Sequence, residues 1–155
     1  MPVKKLKEYL NANKVKYVTI SHSPAYTARE VAASTLVPRA EFAKTVLVNI
    51  DGKMAMAVIP ASRRLDLEQL GLLVNAKKVV LASEQEFQGR FPDCEVGAMP
   101  PFGNLYDMEV YVATNLTLDD EIVFNAGSHI QVIQLAYEDY AKLVQPKVLD
   151  IAVKH

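Results

Sequence analysis

The sequence predicts one α+β domain in which helices surround a sheet whose strands mostly follow one another without crossover helices. Apolar runs of strand length are frequent, and the clearest pair, 43–50 and 54–60, is joined by Asp51-Gly52, a dipeptide typical of a tight hairpin. Helical periodicity is confined to short segments, several of which begin at Ser, Thr or Asp. The chain has 155 residues, enough for one core, so we expect a single domain over residues 1–155.

The first half of the chain is predicted to contain three helices and four strands. Residues 3–13 place Leu6 and Leu10 on one face and lysines opposite, which predicts an amphipathic helix. Thr27 followed by Glu30 is a capping box and predicts a helix to about residue 34, after a turn at 23–24. Asp66 is expected to cap a short third helix. The strands are expected at residues 17–20, 43–50, 54–60 and 77–81, the last of them buried.

The second half is predicted to contain two helices and three strands. Ser83 and Glu86 form another capping box, for a helix that ends near Phe91. A loop rich in Gly and Pro follows, and a final helix over 137–144 precedes Pro146. The strands are expected at residues 109–113, 121–124 and 130–135.

Composition is that of an ordinary soluble globular protein, with 50% apolar and 23% charged residues. No apolar run reaches the roughly 18 residues that a membrane-spanning helix needs, so we expect no membrane contact. The N-terminal residues form no apolar signal core. The single cysteine, Cys94, has no partner for an internal disulfide, which favours a reducing, cytoplasmic location.

Charge is distributed unevenly along the chain, although the net charge is −1. Residues 1–78 hold 13 Lys and Arg against 6 Asp and Glu, whereas residues 79–155 hold 4 against 12. If the basic residues gather on one face, they provide a phosphate-binding surface. If they scatter, they are ordinary solvated charges.

Lys44 is the first candidate functional residue because it opens the nearly apolar run 45–50. A partly desolvated lysine usually needs an anionic partner, such as a phosphate or a polarised carbonyl. The alternative is an edge-strand lysine that discourages pairing with another sheet.

The loop from Gly97 to Asn104 is the second candidate. Pro100-Pro101 stiffens the backbone, while Gly97 and Gly103 allow it to turn and to approach a ligand closely. Rigid N–H groups aimed into a cavity form an oxyanion hole. The alternative is a structural turn between a helix and a strand.

The third candidate is Gly127-Ser128-His129, immediately before a strand. His129 is placed to orient a water or to accept a proton, and the alternative is a purely structural histidine. Ser128 is not interpreted as a nucleophile because no G-x-S-x-G elbow surrounds it. The three histidines and Cys94 share no metal-ligand spacing, so neither a metal nor another cofactor is predicted.

Taken in order, four segments resemble one family. They are Ser-Pro-Ala-Tyr-Thr-Ala-Arg-Glu-Val-Ala at 23–32, Lys-Thr-Val-Leu-Val at 44–48, Gly-Ala-Met-Pro-Pro-Phe-Gly at 97–103 and Ala-Gly-Ser-His at 126–129. This order resembles the YbaK-type aminoacyl-tRNA deacylases, a family related to the editing domain of bacterial prolyl-tRNA synthetase. The resemblance extends from about residue 21 to residue 144.

The resemblance implies a mixed, barrel-like sheet with surrounding helices, and a metal-free enzyme that hydrolyses the ester between a wrong amino acid and tRNA. Lys44 would hold the terminal phosphate or the substrate carbonyl. The backbone around Gly97 and Gly103 would stabilise the oxyanion, and His129 would orient the ribose 2′-hydroxyl or the water. The expected substrate-binding residues are Tyr26, Thr45, Met99, Pro100, Pro101, Phe102, Gly127 and Ser128.

The implied substrate is a small amino acid on tRNA, with Ala or Ser on tRNA-Pro expected first and Thr or Cys as alternatives. Thr45 stands where alanine-editing members often carry Asn, which leaves the choice of amino acid open. The implied partners are the tRNA acceptor end and an aminoacyl-tRNA synthetase. Three other functions fit the same residues: a non-catalytic module that binds aminoacyl-adenosine, a nucleotide or tRNA; a small-molecule ester hydrolase; and a structural or partner-binding domain docked on a synthetase or ribosome. Turnover separates the first of these from a deacylase, and salt dependence separates the second.

Overall fold

A computed structural model describes residues 2–21, 42–91, 94–95, 98–118, 120–128 and 131–154. The helices are α1 (Pro2–Ala12), α2 (Leu67–Leu73), α3 (Glu84–Gln88) and α4 (Tyr137–Val144). The strands are β1 (Tyr17–Ser21), β2 (Ala43–Ile50), β3 (Lys53–Pro60), β4 (Arg63–Leu65), β5 (Val79–Leu81), β6 (Val110–Ala113), β7 (Glu121–Asn125), β8 (Gln131–Ala136), β9 (Lys147–Leu149) and β10 (Ala152–Lys154). Short 3-10 turns cover Gly103–Leu105 and Thr114–Leu118.

The strands form three sheets. A mixed five-stranded sheet has the order β5-β2-β3-β6-β9, with β3, β6 and β9 parallel and the other pairs antiparallel. An antiparallel sheet has the order β1-β8-β7, and β4 pairs with β10. A parallel bridge between Phe42 and Val123 links the two larger sheets. The predicted α+β class is confirmed, although the described strands form separate sheets rather than one closed barrel.

The β2–β3 hairpin is confirmed with the predicted turn. Its register runs from Ala43 opposite Pro60 to Ile50 opposite Lys53. Asp51 and Gly52 have φ values of 51° and 86°, the left-handed conformation that a two-residue hairpin turn requires. The Asp51 carboxylate also accepts hydrogen bonds from the backbone of residues 77 and 78, which fastens the approach to β5.

Two of the predicted helix caps are present in the structure. Asp66 accepts a hydrogen bond from the Gln69 N–H at 3.0 Å. Ser83 and Glu86 satisfy each other's backbone N–H groups at 3.2 and 2.9 Å, as a capping box does. Helix α4 has the predicted bounds. The capping box at 27–30 and the turn at 23–24 lie outside the described residues.

Other predictions are wrong in ways that have a physical cause. The strand expected to be buried at 77–81 is β5, and Leu81 is 59% exposed because β5 is an edge strand. The helix expected to end near Phe91 ends at Gln88. Strands β4, β9 and β10 were not predicted, since three residues are too few to show alternation.

The five-stranded sheet carries hydrophobic side chains on both faces. One face packs against α1, α4, β7 and β8, and we call this cluster the main core. The opposite face packs against α2 and the segment before β10, and we call this cluster the second core. None of the described helices is long and apolar enough to cross a membrane.

Candidate functional site

The structure brings two of the predicted segments together. The Glu95 N–H donates to the Gly127 carbonyl at 2.9 Å, and the Gly127 N–H donates to the Ala98 carbonyl at 2.8 Å. The Ala98 N–H in turn donates to the Glu95 carbonyl at 3.0 Å. Gly127 has a φ of +96°, which a residue with a side chain rarely adopts. The glycine at this position is therefore required by the backbone that joins the two segments.

The loop beyond Ala98 is buried and held by hydrogen bonds to its own backbone and to α4. Every residue from Ala98 to Gly103 is buried. The Phe102 N–H donates to the Pro100 carbonyl at 2.8 Å, and the Tyr140 hydroxyl donates to the Pro101 carbonyl at 2.7 Å. The two prolines contribute no N–H, so their carbonyls are the polar groups that need partners here.

The Phe102 ring anchors this loop in the main core. It is fully buried, and its centroid lies 5.5 Å from the Phe124 ring and 5.3 Å from the Tyr140 ring. Tyr9 of α1 meets it edge-on at 6.3 Å. The ring thus supports the loop from beneath, and its expected contact with a substrate stays a prediction.

Close packing explains the glycine at position 103. A Cβ there would lie 2.6 Å from the Val110 side chain and 2.9 Å from the Met108 carbonyl. The Gly103 carbonyl also accepts hydrogen bonds from Tyr106 and Met108, both at 2.9 Å. Gly103 therefore fixes the end of the loop, while its expected part in oxyanion binding stays a prediction.

Lys44 occupies the second position of β2 and is half-buried. Burial lowers the pKa of its ammonium below that of a free lysine. No carboxylate forms an ion pair with it among the described residues. Strand alternation places Lys44 on the face of the second core and Thr45 on the face of the main core. Lys44 is thus a partly desolvated cation without an anionic partner among the described residues.

Asn125 is a further candidate residue that the sequence pattern did not single out. It is the last residue of β7, and Val123 of the same strand forms the parallel bridge to Phe42 directly before β2. Asn125 is 8% exposed, and its Oδ1 has no hydrogen-bond partner among the described residues. The signal that could have identified it is its position as a polar residue directly after the apolar run 122–124.

An unpartnered buried acceptor of this kind costs about 1–3 kcal/mol, and native structures hold few of them. Its position at the end of the strand that leads into Gly127 makes it a candidate ligand contact. The N–H groups of Met99 and Ser128 flank the paired backbone, and neither donates to a backbone carbonyl within the described segments. These two groups are therefore the candidate oxyanion donors.

The remaining predicted residues fall into two sets. Met99, Pro100 and Pro101 lie in the buried loop, and Ser128 is half-buried beside Gly127. Gly97, His129 and Tyr26 lie outside the described residues. Among the described side chains, no cluster of three or more His, Cys, Asp or Glu is arranged to hold a metal ion.

The sequence profile of the aminoacyl-tRNA editing domain family matches residues 22–143. The multifunctional Ser/Thr-tRNA deacylase ProXp-y of Escherichia coli strain K12 is 30% identical over 70% of this chain and 67% of its own length. The prolyl-tRNA editing protein ProX of Acetoanaerobium sticklandii is 26% identical over 88% of this chain and 86% of its own.

A crystal structure described as a candidate trans-editing enzyme for prolyl tRNA synthetase superimposes with a TM-score of 0.83. It covers 99% of this chain and 97% of its own at 18% sequence identity, so the likeness is one of fold. The three residues whose backbones the structure joins, Glu95, Ala98 and Gly127, all lie within the region that the family profile matches.

Proposed function

This chain belongs to the aminoacyl-tRNA editing domain family, and on that premise we propose that it removes a small, wrongly attached amino acid from tRNA in trans. Membership makes the chain a hydrolase of aminoacyl-tRNA; the amino acid, the tRNA and the roles of individual residues are the proposal. The observation that carries it is the hydrogen-bonded junction of Gly127 with Glu95 and Ala98, directly after the strand whose last residue is the buried, unpartnered Asn125.

Hydrolysis breaks the ester bond between the amino acid carbonyl carbon and a ribose oxygen of the terminal adenosine. Water attacks the carbonyl carbon, negative charge collects on the carbonyl oxygen, and the ribose oxygen leaves with a proton. The N–H groups of Met99 and Ser128, which have no backbone acceptor within the described segments, are proposed to stabilise that charge, and loss of one such donor typically slows a reaction by roughly 10²–10³. His129 is proposed to orient the water or the 2′-hydroxyl.

Lys44 supplies the positive charge of the site. Its ammonium is half-buried and has no carboxylate partner among the residues described, so a substrate phosphate or carbonyl oxygen compensates for the lost hydration. Asn125 Oδ1 accepts a hydrogen bond from an N–H or O–H group of the substrate, which ends its unpartnered state.

The substrate is proposed to be tRNA-Pro that carries Ala or Ser, with Thr or Cys as alternatives. The name of the Escherichia coli relative supports Ser and Thr among these. A pocket distinguishes substrates that differ by one methylene by only about 1–3 kcal/mol. The amino acid that is removed therefore has to be identified by direct measurement.

The decisive experiment is hydrolysis of tRNAs charged with Ala, Ser, Thr or Cys, on tRNA-Pro and on the cognate tRNAs. Wild type is compared with Lys44→Ala and with Lys53→Ala, a matched control at the opposite end of the β2–β3 hairpin. We expect release of one or two amino acids that depends on Lys44 and not on Lys53. Binding of tRNA without release of any amino acid would instead identify a non-catalytic module.

A further inference from the structure

The described basic residues of the first half form separate groups in the structure. Arg63 and Arg64 lie on β4 beside β10, and the backbone N–H groups of Lys77 and Lys78 donate to the Asp51 carboxylate. The largest group belongs to α1 and the turn after it, where a single carboxylate, Glu8, stands among five lysines. These lysines are Lys4, Lys5, Lys7, Lys14 and Lys16. None of the five forms an ion pair within the described part of the chain.

Lys5 extends this group onto the end of the candidate site loop. Its ammonium donates to the Leu105 carbonyl at 2.9 Å and lies 4.6 Å from the centroid of the Tyr106 ring. Arg90, from the segment after α3, donates to the Tyr106 carbonyl at 3.0 Å. Two cations from distant parts of the sequence therefore meet on the 3-10 turn that begins at Gly103, where the loop ends.

Both cations keep unused hydrogen-bond donors in solvent. Lys5 and Arg90 are exposed, and one donor of each is committed to a backbone carbonyl. An ammonium has three donors and a guanidinium five, so each retains groups for an external acceptor. No carboxylate is ion-paired with either cation among the described residues. A backbone carbonyl neutralises no charge, so the pair remains an uncompensated positive site.

We propose that Lys5 and Arg90, together with the exposed lysines of α1, form a strip that binds backbone phosphates of the tRNA acceptor stem. We call it the α1 strip. The inference rests on the proposed function, and it assigns the tRNA backbone to the α1 side of the loop rather than to β4 or to the Asp51 turn. Phosphate contacts of this kind position an RNA and do not read its sequence.

The test measures tRNA binding and hydrolysis separately for Lys5→Gln, Arg90→Gln and the double variant. Glutamine retains a donor for the Leu105 or Tyr106 carbonyl and removes the charge. Binding of uncharged tRNA is measured from 50 to 300 mM salt, and hydrolysis is compared between mischarged tRNA and the same amino acid esterified to a CCA trinucleotide. Matched controls are Lys142→Gln, whose partner is Glu138 at 3.4 Å, and Lys77→Gln.

We expect each single variant to reduce the slope of log K against log salt by about one, and the double variant by about two. The kcat/KM on tRNA should fall roughly in proportion to the affinity, whereas hydrolysis of the CCA ester stays at the wild-type rate. Lys5→Arg should restore the wild-type slope.

Unchanged salt slopes in all three variants would overturn the α1 strip. Equal losses of kcat/KM on tRNA and on the CCA ester would also overturn it, because they would indicate that Lys5 and Arg90 only hold the loop in place. Salt-dependent binding that the variants weaken, in a wild type that hydrolyses none of the esters, would support the α1 strip and reject the deacylase proposal. The two proposals therefore fail by different measurements.

Discussion

Tyr140 donates its hydroxyl proton to the Pro101 carbonyl at 2.7 Å, from a side chain that is almost completely buried in the main core. Burial also raises the pKa of this phenol well above that of a free tyrosine, which favours the protonated, hydrogen-bond-donating form. The bond connects α4 to the stiffest part of the candidate site loop.

Tyr140→Phe should therefore loosen the loop as well as the fold. The variant leaves the Pro101 carbonyl buried without a partner, which lowers the free energy of unfolding by about 1–3 kcal/mol. For a chain of this size, each kcal/mol lowers the Tm by roughly 2–4 °C. We also expect a clear drop in kcat on mischarged tRNA. Tyr137→Phe is the control, since that hydroxyl makes no hydrogen bond within the described structure. Equal thermal melts and rates for the two variants would contradict the assigned role.

Lys44→Met should lower the activity and raise the stability at pH 7. Burial lowers the pKa of Lys44 in the folded chain below its pKa in the unfolded chain. At pH values between these two pKa values, the unfolded chain therefore binds more protons than the folded chain. The free energy of unfolding therefore rises with pH in that alkaline range, and the protonated side chain is destabilising at pH 7. We expect the variant to melt higher than wild type at pH 7, by a margin that narrows towards pH 10, and to lose roughly 10²–10³ in kcat/KM. A variant that melts lower at pH 7 would show that the charge has a stabilising partner.

Asn125→Leu tests the unpartnered acceptor. Removal of a buried oxygen that lacks a hydrogen bond should leave the stability unchanged or raise it. Loss of one hydrogen bond to the substrate should lower kcat/KM about tenfold. Asn115→Leu is the matched control, because Asn115 Oδ1 is also buried without a partner but lies in the turn Thr114–Leu118. If both variants keep full activity, Asn125 has no part in binding.

Gly103→Ala should destabilise the loop by overpacking. Its Cβ would meet the Val110 side chain at 2.6 Å and a backbone oxygen at 2.9 Å, so the neighbours have to shift, at a cost of about 1–3 kcal/mol. Gly89→Ala, where a Cβ meets nothing within 4 Å, should melt close to wild type. Chemical denaturation of both variants measures the difference, and equal midpoints would refute the packing explanation.

Local signals in the sequence were sufficient for much of the fold. The Asp51-Gly52 turn, the Asp66 cap and the Ser83–Glu86 box depend on neighbouring residues, and all three are present. The three-residue strands were not predictable, because their pairing is decided by distant partners. For example, β4 pairs with β10 near the end of the chain.

The residues of the candidate site also differ in whether neighbouring sequence identifies them. Lys44 and the Gly127 segment stand out locally, because a charge opens an apolar run and a glycine precedes a strand. Asn125 is a candidate because its Oδ1 is buried without a hydrogen-bond partner among the described residues, which periodicity does not reveal. The Phe102 ring packs among aromatic partners from three other elements, which a local pattern does not reveal, and its expected contact with a substrate stays a prediction.

Strand β1 has a consequence for the order in which the chain acquires its structure. Its described partner is β8, with Tyr17 opposite Leu135. These early residues therefore cannot pair until most of the chain has been synthesised. Such long-range pairing slows folding, because loop-closure entropy is lost before any contact compensates for it. During synthesis at about 5–20 residues per second, the N-terminal strand would remain unpaired for several seconds. Premature termination before β8 would therefore leave an exposed strand edge, a template for aggregation rather than a partly working enzyme.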